Sequence, residues 1–277
     1  MTIADGNRDQ AFLWNGAAGE GWVRAQSLLD RIYEPFADVL VNALGAAKRV
    51  LDVGCGAGAV TLAMAGRAGG ETRATGIDIS EPLLAVARAR AAQAGVTAAF
   101  VCADAQGYAF APEEFDLLVS RFGVSFFADP VAAFANLRRA ARPGGRLRFL
   151  TWRGPDENDF MTAAERAAAP LLPGLPPFRA GQPGPFGLAD EALSADILAQ
   201  SGWRGVAISK VDRICAFPES ALTHYLTWMG PVGRLLQKTD GPMRARILET
   251  VRPAFDGFVQ DGEVRFAAAC WMLEASA

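Results

Sequence analysis

The stretch Val50-Leu51-Asp52-Val53-Gly54-Cys55-Gly56-Ala57-Gly58 decides how this chain is read. Apolar residues surround one carboxylate, and three glycines at alternate positions follow. The apolar run reads as a buried strand and the glycines as the tight turn leaving it. Ala57–Arg67 (AGAVTLAMAGR) then supplies helix formers. A strand that feeds a glycine turn and a helix presents backbone N–H groups at the positive end of that helix. Glycine admits a ligand where a Cβ would block it. The stretch predicts a small-molecule binding loop.

Outward from it, strand and helix patterns alternate. Lys48–Val53 is the first strand and Ala57–Arg67 its helix. Arg73–Ile77 is the second strand, with a helix over Glu81–Ala94. Ala98–Cys102 and Phe115–Ser120 are the third and fourth, followed by a helix over Pro130–Ala141. Pro143-Gly144-Gly145 turns into a fifth strand, Arg146–Trp152. Such alternation predicts an α/β fold, a doubly wound, mostly parallel sheet with helices on both faces. Ligands of these sheets bind beyond the carboxyl ends of the strands.

Residues 1–47 form an expected helical arm ahead of a domain over 48–277. Within the arm, Leu28, Ile32, Phe36, Val39, Leu40 and Leu44 recur at helical spacing, so residues 21–45 predict one amphipathic helix. Trp14 and Trp22 either anchor the arm to the core or face a ligand together with Gln26. The alternation breaks at about 153–188 and 218–260. Both interruptions leave from the ligand-binding edge, which suits a helical cap. Between and after them come a helix at Phe160–Ala169, another at Asp190–Ser201, and strands at Val206–Phe217 and Val264–Met272.

Composition narrows the partners. The chain has 277 residues, 51% of them apolar, and a net charge of −3 with its cations dispersed. That gives no electrostatic support for nucleic acid or an anionic membrane. The opening MTIADGNRDQ is polar, and no apolar run reaches about 18 residues, so the expectation is a cytoplasmic protein without membrane insertion. A homodimer is compatible with the sequence. Cys55, Cys102, Cys215 and Cys270 are far apart and read as buried free thiols. His224 is the single histidine, which excludes a three-histidine zinc site, and no metal site is expected.

The strand tips carry the chemistry. Asp78 ends the second strand, and its two oxygens suit the vicinal hydroxyls of a ribose. Asp104, one strand along, suits an exocyclic amine of a base. Ser80 ahead of Glu81-Pro82 reads as the helix N-cap, which frees Asp78 for a ligand.

VLDVGCGAG, GIDIS, CADA, FDLLVSRFGVSFF and RPGGRLRF resemble, in order and spacing, the class I S-adenosylmethionine-dependent methyltransferases, and within them the small-molecule branch that includes quinone-biosynthesis enzymes. The resemblance covers about residues 45–152. It implies a seven-stranded Rossmann-like sheet whose last strand, here about 263–273, is antiparallel, with S-adenosyl-L-methionine as cofactor. It implies that Asp52, Gly54, Cys55 and Gly56 border the methionine moiety and that Arg121 and Phe122 line its end. It also implies that Asp78 holds the ribose, Ile79 packs on adenine, and Asp104 and the Ala105 N–H meet the base.

Gly54-Cys55-Gly56-Ala57-Gly58-Ala59 also satisfies a dinucleotide fingerprint. Asp52 argues against it, because a carboxylate beside the loop disfavours a pyrophosphate and favours a cationic ligand. Methyl transfer is an in-line displacement that depends mainly on alignment, so no fixed catalytic motif is expected. Ser120-Arg121-Phe122-Gly123 stands where adenine- and glutamine-methylating enzymes carry Asn/Asp-Pro-Pro-Tyr/Phe, and there is no Pro-Cys pair for cytosine chemistry. Asp156, Glu157 and Asp159 follow the fifth strand and read as a solvated loop. A small, fairly apolar acceptor, methylated at O, C or N, is left. His224, Tyr108 and Tyr33 are the candidate bases, and Trp152 a candidate pocket residue. The rival readings are a non-catalytic S-adenosylmethionine-binding protein and a different alkyl-transfer chemistry on the same fold.

Overall fold

The computed structural model describes residues 3–67, 72–172, 174–175 and 181–277. Residues 173 and 176–180 of the expected insertion at 153–188, and residues 1–2 of the polar opening, lie outside the described residues.

The helices and strands follow in chain order as α1 (Arg8–Asn15), α2 (Ala17–Arg24), α3 (Gln26–Asn42), β1 (Arg49–Val53), α4 (Ala59–Arg67), β2 (Arg73–Asp78), α5 (Glu81–Ala94), β3 (Ala99–Cys102), β4 (Phe115–Arg121), α6 (Pro130–Ala140), β5 (Ala141–Trp152), α7 (Asp159–Ala168), α8 (Glu191–Gln200), β6 (Arg204–Pro218), α9 (Leu222–Trp228), α10 (Gly230–Leu236), α11 (Gly241–Val251), β7 (Val259–Gln260) and β8 (Glu263–Ser276). The sheet runs β3-β2-β1-β4-β5-β8-β6, and the two-residue β7 pairs with β8 off that path. β1 to β5 pair in parallel, and β8 lies antiparallel between β5 and β6. The strand order reverses between β2-β1 and β4-β5, which makes the crevice between the tips of β1 and β4 the switch point.

Local chemistry sets the boundaries. The Ser80 hydroxyl accepts from the Leu83 N–H at 3.4 Å and caps α5, with Pro82 in its first turn and Gly95 left-handed at its end. Asp129 caps α6 in the same way through the Ala132 N–H. Alternate strand residues enter opposite faces, as expected of a sheet covered on both sides. Val50, Leu117 and Leu150 join the core shared with α3 and α4; Leu51, Leu118 and Phe149 join the core under α6 and α8. On the first side Phe160 of α7 stacks on Phe266 of β8 at 3.8 Å, fastening the 153–188 segment to the sheet.

Three sequence expectations need correction. The single helix over 21–45 divides at Ala25 into α2 and α3. Strand β5 begins at Ala141, because Phe115 pairs with Ala141 before the register shifts and Leu117 pairs with Arg146, so the Pro143-Gly144-Gly145 turn is a bulge within the strand. Cys102 is half-buried instead of buried, since β3 is the sheet edge; the other three thiols are buried, and none of the four is in a disulfide. As expected of a solvated acidic loop, Asp156, Glu157 and Asp159 are exposed, with Glu157 pairing with buried Arg153 and Asp159 with Arg166, at 2.7 and 3.0 Å.

Candidate functional site

The tips of β1, β2 and β4 meet in a tight backbone arrangement. The Gly54 N–H donates to the Ile77 carbonyl at 2.8 Å, and Gly54 has φ +66°. A Cβ on Gly54 would stand 2.7 Å from the Gly123 Cα, so β1 and β4 approach more closely than side chains allow. Gly56 has φ +54°, and a Cβ there would meet nothing within 4 Å; it faces open space. Asp78 holds the loop in shape: its Oδ2 accepts from the Gly56 N–H at 2.7 Å and its Oδ1 from the Ser80 N–H at 2.9 Å. Each oxygen keeps a further lone pair.

Asp52 is only 2% exposed and accepts from the Thr61 hydroxyl at 2.6 Å. Burial raises its pKa to about 6, opposed by the Thr61 hydrogen bond and the Arg121 charge. Beside it is a small recess lined by Trp22, Gln26, Asp30, Cys55, Gly56 and Arg121, among others. Gln26 donates to Asp30 at 2.6 Å, and Arg90 bridges Asp30 to the Ala57 carbonyl at 2.5 and 2.6 Å. Burial lowers the pKa of Arg121, with the Asp30 and Asp52 charges acting the other way. Its guanidinium donates to the Tyr33 carbonyl at 3.4 Å and lies 5.7 Å from the Tyr33 ring centroid.

A cavity of about 440 Å³ extends from these tips. One end contains Gly54, Asp78, Ile79, Asp104 and Ala105; the same cavity includes Tyr33, Trp152, Met161, Tyr225, Trp228 and Arg234. Phe122 has φ +72°, a strained conformation for a bulky residue, and stacks on Trp152 at 4.3 Å between the two regions. The arm helices pass over the first end. Asn7 donates to Asp104 at 2.9 Å, the Ala4 N–H donates to the other Asp104 oxygen at 3.0 Å, and Ser80 donates to the Trp14 carbonyl at 2.7 Å.

Most residues singled out from the sequence converge here. Asp78, Ile79, Asp104, Ala105, Arg121, Phe122, Trp22 and Tyr33 line the cavity with Gly54 and Gly56, while Asp52, Cys55 and Gln26 line the recess beneath. Asp104 differs from its expectation in being engaged already by Asn7 and Ala4, because the arm passes within reach of the β3 tip. Two candidate bases do not fit. His224 is exposed on the outer side of α9, where its Nε2 lies 3.1 Å from the Arg24 carbonyl; the helical period turns its neighbour Tyr225 to the cavity instead. Tyr108 packs edge-on against Phe110 at 4.8 Å in the opposite core and is absent from the cavity wall. Tyr33 does face the cavity, but burial pushes its pKa above the ordinary tyrosine value, so it holds its proton near neutrality. The sequence reading missed Thr61, Asn7 and Arg234. Thr61 lies nine residues after its partner Asp52, at a spacing with no helical or strand periodicity. The others are ordinary helix-face polar residues until the fold brings them to one place.

Residues 50–145 match the family model described as a methyltransferase domain. An uncharacterised protein of Mycobacterium tuberculosis is 39% identical over 129 residues, 45% of either chain. A demethylmenaquinone methyltransferase of Thermus thermophilus is 33% identical over 150 residues, covering 54% of this chain and 68% of that one. The magnesium protoporphyrin IX methyltransferase of Synechocystis superposes with a TM-score of 0.58 at 16% identity, over 98% of this chain and 99% of that one, which is a likeness of fold. The matched segment spans just under half the length of the mycobacterial relative.

Proposed function

The chain belongs to the class I S-adenosylmethionine-dependent methyltransferases, and on that premise we propose that it transfers a methyl group from S-adenosyl-L-methionine to a small, fairly apolar molecule at oxygen, carbon or nitrogen. The observation that carries this reading is one continuous cavity joining the acidic strand tips to an aromatic chamber. A nucleoside with a cationic amino-acid tail fits the first part: Gly56 leaves open space, Asp78 has lone pairs for a ribose, and Asp52 offers a buried carboxylate to an ammonium. The cofactor, when bound, supplies a methyl on a sulfonium already activated for displacement.

The protein's own work is then alignment and exclusion of water. Asp78 fixes the ribose while itself held by the Gly56 and Ser80 amides, so its carboxylate is oriented before ligand arrives. Asp52 and Arg121 present opposite charges to the amino and carboxylate groups of the tail. Ile79 packs on the adenine, and Asp104 keeps one lone pair on Oδ2 for its amine while Asn7 holds the other oxygen. Phe122 and Trp152 form a flat partition beside which the acceptor lies. Tyr33 donates a hydrogen bond and does not take a proton. The segments at 153–188 and 218–260 act as a cap, contributing Met161, Phe186, Tyr225 and Trp228 to the chamber. With a net charge of −3, the partner is a small molecule and not a nucleic acid. No helix among the described residues is long and apolar enough to cross a membrane.

Calorimetric titration with S-adenosylmethionine tests the cofactor half. Asp78→Ala removes two charge-assisted hydrogen bonds and weakens affinity by about a hundredfold; unchanged affinity refutes the assignment. Transfer of isotopically labelled methyl into an acceptor panel tests the enzyme half, and binding without any transfer supports the non-catalytic reading instead.

A further inference from the structure

We propose that Arg234 anchors an acidic group of the acceptor, so that the molecule methylated is an aromatic carboxylate. The proposal rests on the methyltransferase reading for the reaction, but not for the binding.

The acceptor chamber is built from flat side chains: Tyr33, Trp152, Tyr225 and Trp228. Such walls suit a planar apolar body, and a few placed polar groups then fix its orientation. Two arginines line the cavity. Arg121 is answered by the Tyr33 carbonyl and ring face and by the charges of Asp30 and Asp52. Arg234, on α10, makes no hydrogen bond or ion pair with any of the described residues. It is half-buried in the cavity wall, where burial lowers its pKa and the charge of Glu165 of α7 acts the other way. The two do not pair. Glu165 Oε1 packs against Gly230, where a Cβ would come within 2.8 Å, and its Oε2 is buried without a partner. Burial also raises the pKa of Glu165 to about 7, so it gives Arg234 only partial compensation at neutrality.

A half-buried cation that faces a cavity and has no protein partner favours an anionic group on whatever ligand fills that cavity. A guanidinium offers two parallel N–H donors that match a carboxylate. A ligand with an aromatic body and one carboxylate satisfies both the ring walls and Arg234; a wholly apolar ligand leaves the cation uncompensated.

Cinnamate and its neutral isostere cinnamamide are the probes, titrated calorimetrically into the full chain with and without saturating S-adenosylhomocysteine. Wild type is expected to prefer cinnamate by about tenfold or more. Arg234→Gln removes that preference while leaving S-adenosylhomocysteine affinity unchanged, and Arg234→Lys keeps part of it. Equal affinity for the two probes in wild type, binding of neither, or a preference that survives R234Q overturns the proposal. Should R234Q not fold, the wild-type comparison and R234K decide it. Failure of S-adenosylhomocysteine to bind counts against the cofactor reading alone, since the probe titrations without it still report on Arg234.

Discussion

Asp52→Asn separates what the buried carboxylate costs the empty fold from what it contributes to the ligand. In the folded chain Asp52 has a pKa of about 6, against an ordinary 3.8, chiefly because burial disfavours its charge. A carboxyl raised on folding binds its proton more tightly in the folded state than in the unfolded one. Its contribution to stability is therefore complete below about pH 4 and is lost as pH rises through 6. The difference between 3.8 and about 6 corresponds to about 3 kcal/mol at neutral pH. Asparagine keeps an oxygen for the Thr61 hydroxyl and carries no charge, so D52N escapes that cost. Urea unfolding of both proteins without ligand, from pH 4 to 8, is expected to show D52N ahead by up to about 3 kcal/mol at pH 7.5, with the gap closing toward pH 4. Taking the difference between the two proteins cancels the titrating groups that do not interact with Asp52. S-adenosylmethionine reverses the order: an ammonium favours ionised Asp52, and losing that charge-assisted contact lowers affinity by about tenfold or more. A stability gap that stays constant across the pH range refutes the burial argument. Equal cofactor affinity refutes the ammonium assignment.

Gly123→Ala places a Cβ 2.7 Å from the Gly54 Cα and 2.9 Å from the Val53 carbonyl, both backbone atoms, so the loop must shift. A stability loss of about 1–3 kcal/mol, together with weakened cofactor binding, is the expected outcome in denaturation and calorimetry. His224→Gln and Tyr108→Phe lie off the cavity wall and are expected to leave turnover within about twofold, the scatter of ordinary surface changes; a tenfold loss in either would restore it as a candidate base.

The parallel half of the sheet was legible because it is written in local chemistry. Alternating apolar residues such as Val50 and Leu51 feed opposite cores, Ser80 and Asp129 cap their helices, and the glycines after β1 carry the positive φ the turn requires. The same locality made Asp52, Gly54, Gly56 and Asp78 readable as one site, since strand tips in this topology converge whatever the rest of the chain does. The break at Ala25 and the bulge at 142–145 were not legible, because apolar spacing runs on through the first and register alone reveals the second. The acceptor end was written least clearly. His224 and Tyr225 are adjacent in sequence, and only the rotation of α9 against α2 and α10 turns one outward and the other into the cavity. Glu165 and Arg234 lie on separate helices, α7 and α10, and become neighbours through packing over the sheet edge. By itself the sequence determined the fold family and which strand-tip residues come together at the switch point, because each position follows from its place on a strand. The tertiary structure alone decided the aromatic end of the cavity, because its walls come largely from helices whose facing is set by packing and not by any local pattern.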